Sequence, residues 1–199
     1  MTTTKNMSML VLLPALLLLN VALAAPTATV AEICSACHGE DGAGLSETSV
    51  PIIAGIPATH LEEAIYSYQD GARQCVAQPP MCVVIAELSE AEVIDAADYY
   101  ATLERVWARE PRDPALAEDG SRIHAELCAK CHLRPDDPGV ENALGIPLHG
   151  QRAGYLRLAF NAYLSGDRET LVPAMAQQIG KLDAADIEAL VNYYASFEP

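Results

Sequence analysis

The chain has 199 residues, with 12 Lys and Arg against 27 Asp and Glu, a formal charge of −15. Such a surface repels polyanions, which argues against a nucleic-acid partner, and it steers basic proteins towards it. The imbalance is sharpest in residues 25–110, with 14 acidic and 3 basic side chains, against 13 and 8 in residues 111–199.

Residues 1–24 read as an export signal. Lys5 precedes an apolar stretch from Met9 to Leu19, and the small residues Ala22 and Ala24 follow it. Pro14 and Asn20 interrupt the stretch, which falls short of the ~20 apolar residues of a membrane span. The expectation is cleavage after Ala24 and a mature chain in the periplasm, with no stable membrane span.

Further along, helical signals dominate. A helix is expected from Pro57 to about Asp70, ending before Gly71. Met81 is read as lying in a loop with Pro79 and Pro80. Ser89 and Glu92 form a capping-box pattern, followed by Val93, Ala96, Ala97, Tyr100 and Leu103 at helical spacing. Pro111 and Pro114 break continuity near Arg109 to Asp113, and Asp113 with Pro114 suits the start of a helix leading towards Cys128. Another helix is expected from about Gly154 to Ser165, before Gly166. Met175 is placed in a loop after Pro173, and Ile187, Leu190, Val191 and Tyr194 form a last apolar stripe after Asp183. No stretch alternates with a period of two, so the fold class is all-α.

The chain also repeats itself. A displacement of 94 residues places Cys34, Cys37 and His38 on Cys128, Cys131 and His132, Met81 on Met175, and Tyr99, Tyr100 on Tyr193, Tyr194. Between these anchors the displacement is 95, matching Gly55, Leu61, Tyr68, Gly71 and Arg73 to Gly150, Leu156, Tyr163, Gly166 and Arg168. Two homologous domains, residues 25–110 and 111–199, are the economical reading.

Each domain opens on Cys-x-x-Cys-His, the attachment pattern of c-type haem. The two thiols add to vinyl groups of neighbouring pyrroles, and the adjoining histidine lies under the iron as proximal ligand. A zinc site would place its cysteine pairs closer together, and a thioredoxin-like pair would need a βαβ setting. Two covalently bound haems are therefore expected, with iron ligands His38 and Met81 in the first domain and His132 and Met175 in the second. The paired registry of the methionines favours ligation over simple core filling.

His60, His124 and His149 are read as surface or hydrogen-bonded histidines. Cys75 and Cys82 have no counterpart in the second domain. A disulfide would restrict the unfolded chain by about 2.5 kcal/mol in the loop-entropy treatment. The alternative is that one of them replaces Met81 as a thiolate ligand.

The run from Cys34 through Gly39, Glu40, Asp41, Gly42, Ala43 and Gly44, with the tandem methionines, resembles the two-haem cytochrome c-four family. Leu148, His149, Gly150, Gln151 and the Asp113, Pro114 pair are similar too. The two-haem cytochrome subunit of flavocytochrome c sulfide dehydrogenase resembles the chain as well, with a histidine four residues before its second haem motif, as His124 stands here. The resemblance implies two class I cytochrome domains related by a pseudo-twofold axis, with haem edges close enough for rapid internal transfer. Ala54, Gly55 and Ile56 depart from the glycine-glutamine pair that the family favours there.

Three roles follow. The first is a freestanding carrier between a periplasmic donor and an acceptor such as a terminal oxidase. The second is the electron-accepting subunit of a flavoprotein that oxidises sulfide, and the third is a two-haem peroxidase or thiosulfate-oxidising enzyme. No acid-base pair in the sequence demands catalysis, which favours a carrier or subunit.

Overall fold

The computed structural model describes residues 28–44, 49–76 and 79–199; the export signal expected at residues 1–24 lies outside them. In chain order the helices are α1 (Ala28–His38), α2 (Ala58–Gln69), α3 (Pro79–Ile85), α4 (Glu90–Thr102), α5 (Pro114–Ile123), α6 (Ala153–Ser165), α7 (Pro173–Ile179) and α8 (Ala184–Ala195). A π-turn, His124–Cys128, extends α5, and a 3₁₀ turn covers Val140–Asn142. Among the described residues there is no strand, only an isolated antiparallel bridge between Arg73 and Arg168. No helix among them is long and apolar enough to cross a membrane.

Helices this short need caps and packing to persist. Ser89 and Glu92 form the expected capping box at α4. Asp113 accepts hydrogen bonds from the N–H groups of Ala115 and Leu116, with Pro114 in the first turn. At α8, Asp183 and Asp186 make a second reciprocal cap. Gly71 and Gly166, with φ +82° and +83°, follow α2 and α6 as expected.

One local expectation is corrected. Met81 and Met175 do not lie in loops: each is the third residue of a seven-residue helix, α3 or α7. Both helices begin on proline, whose fixed φ suits a first turn and whose missing N–H costs nothing there. Seven residues span only two turns, too few for an apolar period to show.

The two halves bury separate cores that share the register-equivalent pairs Leu61 and Leu156, Ala97 and Val191, and Tyr100 and Tyr194. Ile56, Leu61, Ala97 and Tyr100 pack together in the first, and Leu156, Ile187, Leu190, Val191, Tyr194 and Ala195 in the second. Each joins the middle helix of its half to the last one. Gly55 N–H donates to the Tyr100 carbonyl at 2.9 Å and Gly150 N–H to the Tyr194 carbonyl at 2.7 Å, the same bond in both copies. Both glycines have positive φ, and a Cβ on Gly150 would sit 2.3 Å from the Trp107 ring.

The halves meet across an approximate twofold. Gln74 N–H donates to the Asp167 carbonyl and Glu169 N–H to the Ala72 carbonyl, both at 2.7 Å, the same contact exchanged between repeats. Arg73 lies over the Tyr68 ring at 4.4 Å and Arg168 over Tyr163 at 4.5 Å. Arg73, 6% exposed, also donates to the Tyr155 hydroxyl across the junction. The connecting segment lies along the second half, with Ala108 N–H on the Gly150 carbonyl and Glu110 N–H on the Ala195 carbonyl. Within it, exposed Arg109 is held at φ +50°. Left-handed backbone costs a non-glycine residue about 1–2 kcal/mol, partly offset by the unfolded-state entropy of glycine. Arg109→Gly should therefore raise stability by roughly 0.5–1 kcal/mol in urea denaturation.

Candidate haem sites

In the first half, α1 ends on the motif itself. Cys34 and Cys37, three residues apart, share a helix face, and His38 is the last helical residue. In the second half, α5 widens into the π-turn that ends on Cys128, and Cys131 and His132 follow at once. All four cysteines carry free thiols. Burial pushes the Cys34 and Cys128 thiols up, which keeps them protonated in the apoprotein.

The two histidines are oriented in the same way. His38 Nδ1 lies 3.0 Å from the Pro51 carbonyl, and His132 Nδ1 lies 2.9 Å from the Ile146 carbonyl, acceptors that match at the displacement of 95. Because a carbonyl only accepts, Nδ1 must carry the proton in each ring, which leaves Nε2 as the basic nitrogen. Burial lowers both pKa values, opposed in each case by the bond to the carbonyl, so neutral imidazole is favoured.

Met81 and Met175 are half-buried. The helix α3 packs on α2, and α7 packs on α6 and on the π-turn that carries Cys128. The sulfurs of Cys75 and Cys82 are paired, with Cα atoms 5.9 Å apart, in the range a disulfide spans. Cys82 adjoins Met81, so this link ties α3 to the segment after α2.

Of the three other histidines, His60 stands near Glu63 at 3.9 Å, and His124, buried, bonds the Tyr194 hydroxyl at 2.9 Å. His124 matches the sequence reading, but His149 does not. It is fully buried, and neither ring nitrogen has a hydrogen-bond partner among the described residues. The His124, Tyr193, Tyr194 and Phe197 rings surround it, with centroids 5.0–5.3 Å away. Burial is the main reason its pKa falls to about 3, and that of His124 to about 4. A loop position adjoining a glycine suggested surface, but the loop folds inwards beneath α8.

Three features carried no sequence signal strong enough to find them. The Pro51 and Ile146 acceptors are backbone atoms, and the π-turn is a local widening of a helix. Gln151, whose side-chain amide bonds both the N–H and the carbonyl of Ile52 at 2.8 Å, acts across 99 residues.

No family model matches the chain. It is 30% identical over 176 residues to a thiosulfate dehydrogenase electron acceptor from Stutzerimonas stutzeri, covering 82% of this chain and 78% of that one. Cytochrome c4 from Thiocapsa roseopersicina is 29% identical over 133 residues, 63% of this chain and 66% of the relative. The crystal structure of reduced recombinant cytochrome c4 from Pseudomonas stutzeri superimposes with a TM-score of 0.69 at 25% identity, over 84% of this chain and 95% of that one. The chain belongs to the two-haem cytochrome c4 family.

It is thus an electron-transfer protein built from two class I cytochrome domains, and it carries two covalently bound haem c groups. The donor set fits that cofactor. Each half of this cytochrome c4 relative offers two free thiols one helical turn apart and a buried or half-buried imidazole whose Nδ1 is already committed. The Tyr100 hydroxyl, close to Cys34, is buried without a hydrogen-bond partner among the described residues.

Proposed function

We propose that Cys34 and Cys37 hold the first haem through thioethers, with His38 and Met81 as its axial ligands, and that Cys128, Cys131, His132 and Met175 do the same for the second. The observation that carries this is the repeated Nδ1-to-carbonyl bond, which fixes both histidines in the tautomer and orientation of a metal ligand. When bound, the iron supplies a reversible one-electron couple, and a thioether opposite imidazole raises its potential. The chain's own residues do the rest. They orient the imidazoles, hold them neutral by burial, close the second axial face against substrate, and join the two halves rigidly enough for electrons to pass between them.

The domains span residues 25–110 and 111–199, and the Cys75–Cys82 disulfide braces the helix that carries Met81. Removal of residues 1–24 delivers the protein to the periplasm, where it takes electrons from one redox protein and passes them to another. The acidic excess of the first domain favours a basic partner surface there. Similarity to a thiosulfate dehydrogenase electron acceptor favours a thiosulfate-oxidising donor over the sulfide-oxidising flavoprotein, with a terminal oxidase as one class of acceptor.

The full chain, co-expressed with haem-attachment machinery, is expected to gain the mass of two haems. The double variant Cys128→Ala, Cys131→Ala should keep one, measured by mass spectrometry and pyridine haemochrome absorbance. Retention of both haems in that variant would refute the assignment. Reduction of the purified protein by a thiosulfate dehydrogenase and thiosulfate, but not by sulfide with a flavoprotein dehydrogenase, tests the donor.

A further inference from the structure

The two halves orient their histidines by the same Nδ1-to-carbonyl bond, but what lies behind that carbonyl differs. The peptide unit between Pro51 and Ile52 supplies the carbonyl that accepts from His38 Nδ1, and its N–H donates to Gln151 Oε1 at 2.8 Å. Gln151 Nε2 donates in turn to the Ile52 carbonyl at 2.8 Å, and Oε1 also accepts from Arg152 N–H at 3.0 Å. These bonds fix the amide's orientation, because a flipped group would set donor against donor and acceptor against acceptor. Gln151 is 5% exposed and Ile52 1%, so the pair is shielded from water. Three links therefore run in series: imidazole N–H to carbonyl, across a planar peptide, then peptide N–H to the side-chain amide of the other half.

The corresponding series around His132 stops short. Its acceptor is the Ile146 carbonyl, and the nitrogen of that peptide belongs to Pro147, which has no hydrogen to donate. The residue in the register of Gln151 is Ile56, whose side chain has no amide. Both ends of the reciprocal contact are missing, so the asymmetry is built into the sequence. Arg152 adds to the one-sidedness: its Nη2 donates to the Ala43 carbonyl at 2.8 Å, while Pro57 stands in its register.

We infer that Gln151 is a positioning residue that sets the reduction potential of the first haem from the second domain, and that the second haem has no equivalent control. Hydrogen bonds in series polarise one another. An amide accepting from Ile52 N–H makes the Pro51 carbonyl a better acceptor, which makes His38 a stronger donor to iron and favours the ferric state. A movement between the domains would reach His38 through this series, and no such series leads to His132. This inference rests on the ligand assignment above.

The test is Gln151→Met in the holoprotein, nearly isosteric but without the amide, with Gln151→Asn, one methylene too short, as a second way to lose the contact. Redox titration should show the first-haem wave moving to higher potential and the second-haem wave fixed, the waves being assigned with Met175→His. The expected shift in the ferric–ferrous equilibrium is about threefold to tenfold, tenfold being about 59 mV for one electron. Hydrogen exchange at the Ile52 amide should accelerate in parallel. Arg152→Met, which loosens the same junction without touching the series, should leave both waves in place. If both waves move together, or neither does while Ile52 exchange rises, Gln151 only holds the domains together and the inference fails. A wild-type protein without two haems, or a Met175→His variant that moves no wave, would instead remove the ligand assignment beneath it.

Discussion

Gly120→Ala is expected to destabilise the protein by about 3 kcal/mol or more, although helix propensity alone favours alanine by about 1 kcal/mol. Gly120 is buried in α5 where that helix crosses α8. A Cβ there would lie 2.1 Å from the Ala189 carbonyl oxygen, 2.5 Å from its carbon and 2.8 Å from Tyr193 Cβ. Two of those atoms are helical backbone, so relief requires the whole crossing to open rather than one side chain to turn. Opening it shifts Tyr193 and Tyr194, which enclose His124 and His149, and disturbs the π-turn leading to Cys128. The second domain should therefore lose cooperativity first. Guanidinium unfolding of the holoprotein, followed by circular dichroism and haem absorbance, measures this. A variant as stable as wild type would show that the helices do not approach so closely.

Much of this architecture was legible because its signals are periodic or repeated. The α4 cap, the Asp113–Pro114 start of α5 and the apolar stripe of α8 are local patterns, and local patterns survive without knowledge of the fold. The internal displacement added what periodicity lacks, since it paired Met81 with Met175 and Gly55 with Gly150 without any reference to distance. Three things stayed out of reach for physical reasons. The helices α3 and α7 are too short to show a period. His149 lies in a polar-looking segment whose burial is decided by Trp107, Tyr194 and Phe197, residues distant in the chain that close around Gly150 and His149. The carbonyls that orient His38 and His132 belong to the backbone, and the Gln151 clasp spans the domain junction. Its absence from the first repeat was visible as Ile56, but its meaning needed Pro147 at the other end of the contact.

Met175→His is expected to leave both haems attached and to lower one of the two reduction potentials by roughly 0.1–0.3 V, within the ~0.8 V range that axial ligands command. A thioether is neutral and soft and stabilises ferrous iron, whereas imidazole is a stronger donor that favours ferric iron. The placement of Met175 makes the exchange informative. It is the third residue of α7, half-buried, on a helix fixed at one end by Pro173 and packed on the turn that carries Cys128. Thioether attachment through Cys128 and Cys131 does not depend on the axial ligand, so haem content should not change. The charge-transfer absorption of methionine-ligated ferric haem should fall by about half, with Met81 supplying the remainder. Both potentials and the full absorption persisting would exclude Met175 as ligand. His124 is committed to the Tyr194 hydroxyl, so the search would turn to His149, the buried imidazole whose nitrogens have no partner among the described residues. Met175→Ala separates these outcomes: if Met175 is the ligand, that variant loses half of the charge-transfer absorption and gains a site open to cyanide or carbon monoxide, and if it is not, neither change occurs.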